Sequence, residues 1–258
     1  MSFFRTLGTP AQAMPDEERR TLDLAGRAIP LVIRKNGRAR RLTLRIEPGG
    51  TGLRLTIPGR TRRRDVDAFL DKHRGWAAER LNGLPAPTLI GVGSRLPVGG
   101  VDHEVVHSGR LRGTTRREER EDGPVIVVSG PEDRAAARVE AWLKAEARRE
   151  IDAAIQRHAP AVGREPGVVR VKDTRTRWGS CSSAGALSFS WRLAMAPANV
   201  LEYLVAHEMA HLVHMNHGPD FWALTRELCP WTNEAKAWLR HEGQALHAFE
   251  FGPARSAD

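Results

Sequence analysis

The segment Tyr203-Leu204-Val205-Ala206-His207-Glu208-Met209-Ala210-His211-Leu212-Val213 constrains this chain more than any other stretch of it. Its flanks are strongly apolar, as in a helix packed into a core. Yet it carries a carboxylate between two imidazoles, and burying those groups uncompensated is costly. His207 and His211 are four residues apart, so both rings leave the same helix face, one turn above the other. That spacing lets both bind one Zn²⁺ at ~2.0–2.1 Å. Glu208 sits beside the first ligand, offset enough to reach a water at the metal without ligating the metal itself.

A catalytic zinc site needs a third protein ligand and an open position. His217 is the natural candidate, six residues past His211 and just before Gly218-Pro219, where the helix must end and the chain can fold back. In the long-motif zinc peptidases a glycine makes that turn. His214 stands in its place here, so Asn216 or Gly218 is expected to take the left-handed position. Glu227 and Glu234, on the following helices, are the fallback ligands for a two-His-plus-Glu site. His214 reads as a supporting or surface histidine.

Composition narrows the rest. At 258 residues the chain is one large domain or two compact halves, and 41% hydrophobic with 28% charged residues describes a soluble globular protein. No stretch approaches the ~20 apolar residues of a membrane helix, and the start has no secretory pattern. Two cysteines, Cys181 and Cys229, make no disulfide framework, so a reduced, cytoplasmic setting is expected. The formal charge of +9 favours anionic partners, but a solvated basic surface explains it equally well. Nucleic acid is therefore only a secondary reading, in which Arg38, Arg40, Arg41, Arg45 and Arg60 to Arg64 would dock on a backbone.

The texture of the chain predicts an α+β fold: a β-rich N-terminal half followed by a helical half holding the motif helix. Residues 1–25 read as a polar tail. Alternation at Leu31, Ile33, Leu42, Leu44, Ile46, Leu53, Leu55 and Ile57 predicts a β-meander, followed by a helix over Arg64–Leu84. Short strands follow near Leu89–Val92, His103–His107 and Val125–Val128, with the charged run Arg116–Asp122 as a hairpin tip or loop. A boundary is drawn near Gly130, giving a β-rich subdomain over 26–130, a catalytic subdomain over 131–250 and a tail over 251–258. Beyond that boundary a helix should run to about His158. Strands Val168–Val171 and Leu187–Leu193 are expected to form a hairpin, followed by helices from Pro197 to about His214, Pro219–Leu228 and Asn233–His247. Phe221, Trp222, Trp231 and Trp238 read as core.

The run Arg175-Thr176-Arg177-Trp178-Gly179-Ser180-Cys181-Ser182, then Trp191-Arg192-Leu193, Ala196-Pro197, Tyr203, His207-Glu208-x-x-His211, Asn216-His217-Gly218 and Phe221-Trp222 resembles the YgjP-like metallopeptidase domain family. Members are often described as M48-type or SprT-like zinc metallopeptidases. The resemblance extends from about residue 30 to 247, with Gly218 standing where serine is usual. It implies a zincin-like fold, zinc on His207, His211 and His217, and Glu208 as general base. Tyr203, one turn before His207, and Arg177 and Arg192 are candidate oxyanion donors, with packing beneath the ligands as the other role for Tyr203. If Ala186–Trp191 is an exposed edge strand, an extended peptide could pair with it. Otherwise the Trp178-Gly179-Ser180-Cys181 segment is a turn bracing the site. Cys181 is read as a small buried thiol, with zinc-bound latency as the other possibility.

These readings converge on a zinc metallopeptidase acting on extended or unfolded polypeptide. The alternatives are a metal-dependent hydrolase of a non-peptide substrate such as a nucleoside triphosphate, a nucleic-acid-associated protease, and a non-catalytic metal-binding scaffold.

Overall fold

The computed structural model describes residues 14–24, 26–83 and 86–252. The first thirteen residues, and the tail beyond 252, lie outside them. The chain forms two units that divide between Ala86 and Pro87.

In the first unit, strands β1 (Glu17–Leu24), β2 (Arg27–Lys35), β3 (Thr43–Ile46) and β4 (Leu53–Ile57) precede helix α1 (Arg63–Asn82). Leu31, Ile33, Leu53, Leu55 and Ile57 are fully buried against Val66, Leu70, Ala77 and Leu81 of α1. Period-two alternation on the sheet thus meets a 3.6-residue stripe on the helix. Trp76 of α1 lies off that stripe and is 45% exposed. The sheet is not the expected meander. Its order is β1-β2-β4-β3, and β2 pairs with β4 in parallel while β3 lies antiparallel at the edge. β2 and β4 are central because both bury every second residue, Ile29, Leu31 and Ile33 on one and Leu53, Leu55 and Ile57 on the other, whereas β3 buries none. Residues 17–24 are likewise a strand, not a tail. β1 was hard to read because ion pairs hold it: Glu18 accepts from Arg20 at 2.6 Å and from Arg63 at 3.0 Å.

The second unit opens with β5 (Thr88–Leu89), β6 (Arg95–Val98), β7 (Val101–His107), β8 (Arg116–Arg120) and β9 (Gly123–Val128). Helix α2 (Ala135–Val162) follows, then β10 (Val169–Lys172), β11 (Gly179–Cys181), β12 (Leu187–Ser190), α3 (Ala198–Ala210), α4 (Pro219–Leu228), α5 (Thr232–His241) and β13 (Phe249–Glu250), which pairs with β5. Leu96, Val98, Val105, Ile126 and Val128 of the β6–β9 sheet share one core with Val139, Leu143 and Ile151 of α2 and with Val200 and Val205 of α3. That shared core is why the unit boundary falls at Ala86 and not near Gly130. The Arg116–Asp122 run is a hairpin arm, with β8 pairing antiparallel to β9.

Two details of the β10–β12 sheet differ from expectation. β10 is parallel to β12, and β11 is the antiparallel hairpin partner. The order β10-β12-β11 makes β12 central, with Leu187, Phe189 and Ser190 buried, so the edge strand beside α3 is β11. Trp191–Met195 is a 3₁₀ turn rather than a strand continuation. Trp231 is 43% exposed, in contrast to the core position expected for it.

Candidate metal centre

Helix α3 is buried on almost every side: Val205, Ala206, Met209 and Ala210 have no exposed surface. It ends at Ala210, earlier than expected, because the next N–H groups turn back on the last carbonyls. Leu212 N–H donates to Met209 O at 3.0 Å and His214 N–H to Ala210 O at 2.9 Å. This tight turn brings the carbonyl of His214 to 3.0 Å from His211 Nδ1. An N–H at Nδ1 suits that contact and leaves His211 Nε2 as the lone-pair nitrogen. His214 therefore contributes through its backbone.

His217 lies in the loop between α3 and α4. Gly218 is extended at φ −78°, ψ −177°, so it does not take the left-handed position considered for it. The loop closes instead through Gly218 N–H donating to Asn216 O at 2.8 Å. Pro219 then starts α4 at a position where its missing N–H costs nothing. One turn of α4 delivers Phe221, whose fully buried ring stands 4.9, 4.5 and 4.7 Å from the rings of His207, His211 and His217. Phe221 is core, as expected, and it is also the floor on which all three imidazoles rest.

The result is a convergence of three ring nitrogens, one from each histidine, all within 4.8 Å of one another. His207 Nε2 and His217 Nε2 are 3.2 Å apart. Burial holds His207 down to about 3, and the charges of His211, His217 and Lys236 push the same way. Burial likewise lowers His211. Three converging ring nitrogens form a donor set that suits a divalent cation. His207 Nδ1 is buried with no hydrogen-bond partner among the described residues. Glu227 and Glu234, the fallback ligands, are exposed and are not part of the cluster.

Glu208 lies against Gly179 of β11. It is 4% exposed, and burial raises it to about 7 against the opposing influence of Arg177 and the Cys181 N–H, which donates to it. Gly179 packs on this carboxylate so closely that a Cβ there would stand 2.6 Å from Oε1. Sequence reasoning placed Gly179 in a bracing turn without seeing this contact. Trp178 does brace: it stacks on His247 at 5.0 Å and lies against Gly243.

The three candidate oxyanion donors separate. Tyr203 is 5% exposed, its ring 5.8 Å from that of His207, and burial raises its hydroxyl to about 12. Arg177 is exposed and acts on Glu208 through its charge. Arg192 is committed elsewhere: it makes four hydrogen bonds, two to Asp173 and two to the carbonyls of Leu246 and Phe249. It ties the 3₁₀ turn to the C-terminal segment, a bracing position that leaves it little to offer a substrate. Lys236, which sequence reasoning passed over, sits 4.3 Å above the Trp222 ring, close enough to influence His207.

A trio of converging imidazoles with a buried carboxylate beside them defines a site able to hold a divalent metal. The family model for the YgjP-like metallopeptidase domain matches residues 40–242, and the chain belongs to that family. No curated protein matches it. The metallopeptidase zymogen abylysin of Pyrococcus abyssi aligns at 17% identity over 36% of this chain and 95% of its own, with a TM-score of 0.33, too slight a likeness to define the fold. Among the described residues no helix is long and apolar enough to cross a membrane.

Proposed function

We propose that this chain is a zinc-dependent peptidase of zincin-like design that cleaves extended or unfolded polypeptide. The observation that carries the reading is the convergence of ring nitrogens of His207, His211 and His217 within 4.8 Å, with the Glu208 carboxylate beside His207 on α3. Three nitrogen donors suit zinc and leave one position open, as a catalytic site requires. When bound there, zinc supplies Lewis acidity, acidifying water and polarising the scissile carbonyl.

The chain's own residues do the rest. Glu208 takes the proton from the attacking water and later gives it to the leaving amine nitrogen. The Cys181 N–H and the face of Gly179 hold its carboxylate in one place. His214 O fixes the tautomer of His211. β11, the edge strand beside α3, offers backbone groups with which an extended peptide can pair. Arg177 is the candidate to meet negative charge developing on the carbonyl oxygen.

The test is bound zinc and activity on wild type and Glu208→Gln, with unfolded casein and a nucleoside triphosphate panel as substrates. The reading expects about one zinc in each protein and casein cleavage by wild type alone. Hydrolysis of nucleotides alone would move the function to the non-peptide hydrolase. Absence of any bound transition metal in wild type would refute it outright.

A further inference from the structure

The outer face of the β6-β7-β9-β8 sheet carries a cluster of charge that the histidine centre does not use. Ile126 and Val128 point from β9 into the core with α2, so alternation turns Val127 to the opposite face. Val127 is nevertheless only 1% exposed. Arg116 of β8 stands directly across from it in the strand register, and Ser108, Arg110, Arg112 and Gly113 of the segment after β7 line the same concavity as Val127. Together they enclose a concavity of about 190 Å³ lined by Arg110, Arg112, Arg116, Arg120, Ser108 and Ser129.

The charges do not balance. Glu118 serves both Arg116, at 2.5 Å, and Arg120, at 3.2 Å. The guanidinium groups of Arg110 and Arg112 have no carboxylate partner among the described residues. Four fixed positive charges therefore face one negative charge.

The hydroxyls do not balance either. Ser129 is 1% exposed, and its Oγ lies 2.8 Å from Ser108 Oγ. Ser108 Oγ also accepts the Arg110 N–H at 3.2 Å. Two hydroxyl hydrogens serve one contact between two oxygens, so one donor is left without an acceptor among the described residues. Gly113, at φ +154°, lies so close over this pair that a Cβ would approach Ser129 Oγ to 2.5 Å. Arg138, on α2, holds the same loop through the Gly113 carbonyl. The backbone is thus fitted to the serines, and the pocket has surplus donors and surplus positive charge.

What fits such a pocket is a compact dianion with several acceptor oxygens. A phosphate monoester carries three strong acceptors and up to two negative charges, and guanidinium forks match it in geometry. The volume of about 190 Å³ has room for a phosphoryl group together with a small ester substituent. It is a confined concavity with a solvent-facing mouth, not an extended track for a polymer. We propose that it binds inorganic phosphate or the phosphoryl group of a small phosphomonoester. The proposal stands independently of the peptidase reading.

The experiment is calorimetric titration of the full chain in low-salt buffer, with inorganic phosphate in one arm and glycerol phosphate in the other. Each arm is repeated on His211→Ala, so that binding at the histidine centre is told apart. One saturable site is expected in wild type and in His211→Ala, with a dissociation constant between roughly 0.1 and 1 mM. Tighter binding in the ester arm would point to a phosphomonoester; equal binding would point to phosphate itself. Arg110→Ala/Arg112→Ala, which removes only exposed side chains, should weaken binding about tenfold or more and abolish the phosphate-dependent rise in Tm. Its Tm without phosphate should match wild type. Failure to saturate in either arm, or unchanged binding in the double variant, would overturn the proposal. So would a DNA duplex that binds this face without competition from phosphate.

Discussion

Replacing Gly179 by alanine tests whether β11 positions the Glu208 carboxylate or merely lies beside it. The new Cβ would stand 2.8 Å from Glu208 Cγ and 3.0 Å from Cδ, as well as 2.6 Å from Oε1. Carbon atoms in good contact sit ~3.5–4.0 Å apart, so Glu208 or the strand must retreat by about 0.7 Å at Cγ. The carboxylate has little room to do so, being 4% exposed and tied to the Cys181 N–H. A misplacement approaching 1 Å at a reacting group costs on the order of a hundredfold in rate, or about 2.7 kcal/mol of barrier. Overpacking should lower stability by a further ~1–3 kcal/mol. The assay is kcat/KM on an unfolded protein substrate, read together with bound zinc and Tm. Gly179→Ala should keep its zinc, because the atoms nearest the new Cβ all belong to Glu208 and none to the three histidines, and lose most of its activity. Added to Glu208→Gln it should cost almost nothing more, since the group it displaces is already inert. A Gly179→Ala enzyme with full zinc and kcat/KM within about threefold of wild type would refute the positioning argument.

Other outcomes follow from the same geometry. His217→Ala removes an exposed candidate ligand from a loop, so the fold should survive while zinc affinity falls well over about a hundredfold in chelator competition; an unchanged affinity would remove His217 from the proposed ligand set. Arg192→Ala strands Asp173 and the carbonyls of Leu246 and Phe249, and should cost about 2–4 kcal/mol in denaturant unfolding. Arg192→Lys should recover only part of this, because it cannot reproduce the fork. Glu202 of α3 stands 2.8 Å from His158 Nε2 and pairs with Arg157, both on α2, and these hold its carboxyl down at about 2, with buried Cys229 also nearby. A depressed carboxyl stabilises the fold above its unfolded value of 4.5, and that contribution disappears as the pH falls from there through about 2. After allowance for solvent screening it is worth about 1–2 kcal/mol. Glu202→Gln should therefore lower Tm at neutral pH and flatten its decline in acid; an acid limb identical to wild type would show that other carboxylates govern it.

How much of this was legible in the sequence depended on distance along the chain. The histidine spacing, Glu208 and the Pro219 helix start are local, and local chemistry states them outright. The strand partners are not local. Each of the three larger sheets holds the same arrangement: a strand, an intervening strand, and a third strand that pairs in parallel with the first while the second is pushed to the edge. β2-β4-β3, β7-β9-β8 and β10-β12-β11 all follow it. Alternation marks where a strand lies but not which neighbour it takes, so a meander and a simple hairpin were the natural expectations, and both were wrong. The composition of the displaced strands gives the physical reason. β8 is Arg-Arg-Glu-Glu-Arg, β11 is Gly-Ser-Cys, and β3 has no fully buried residue, so none can occupy a centre that must bury both faces. Leu187, Phe189 and Ser190 can. In the second unit this has direct consequences for chemistry. Because β12 takes the centre, the side-chain-poor β11 is left as the edge strand beside α3, where Gly179 can touch Glu208 and backbone groups remain for a substrate. Because β9 takes the centre, the arginines of β8 are left on a rim around Val127. Each of these two displaced strands thus contributes to a candidate site: β11 through Gly179 against Glu208, and β8 through Arg116 and Arg120.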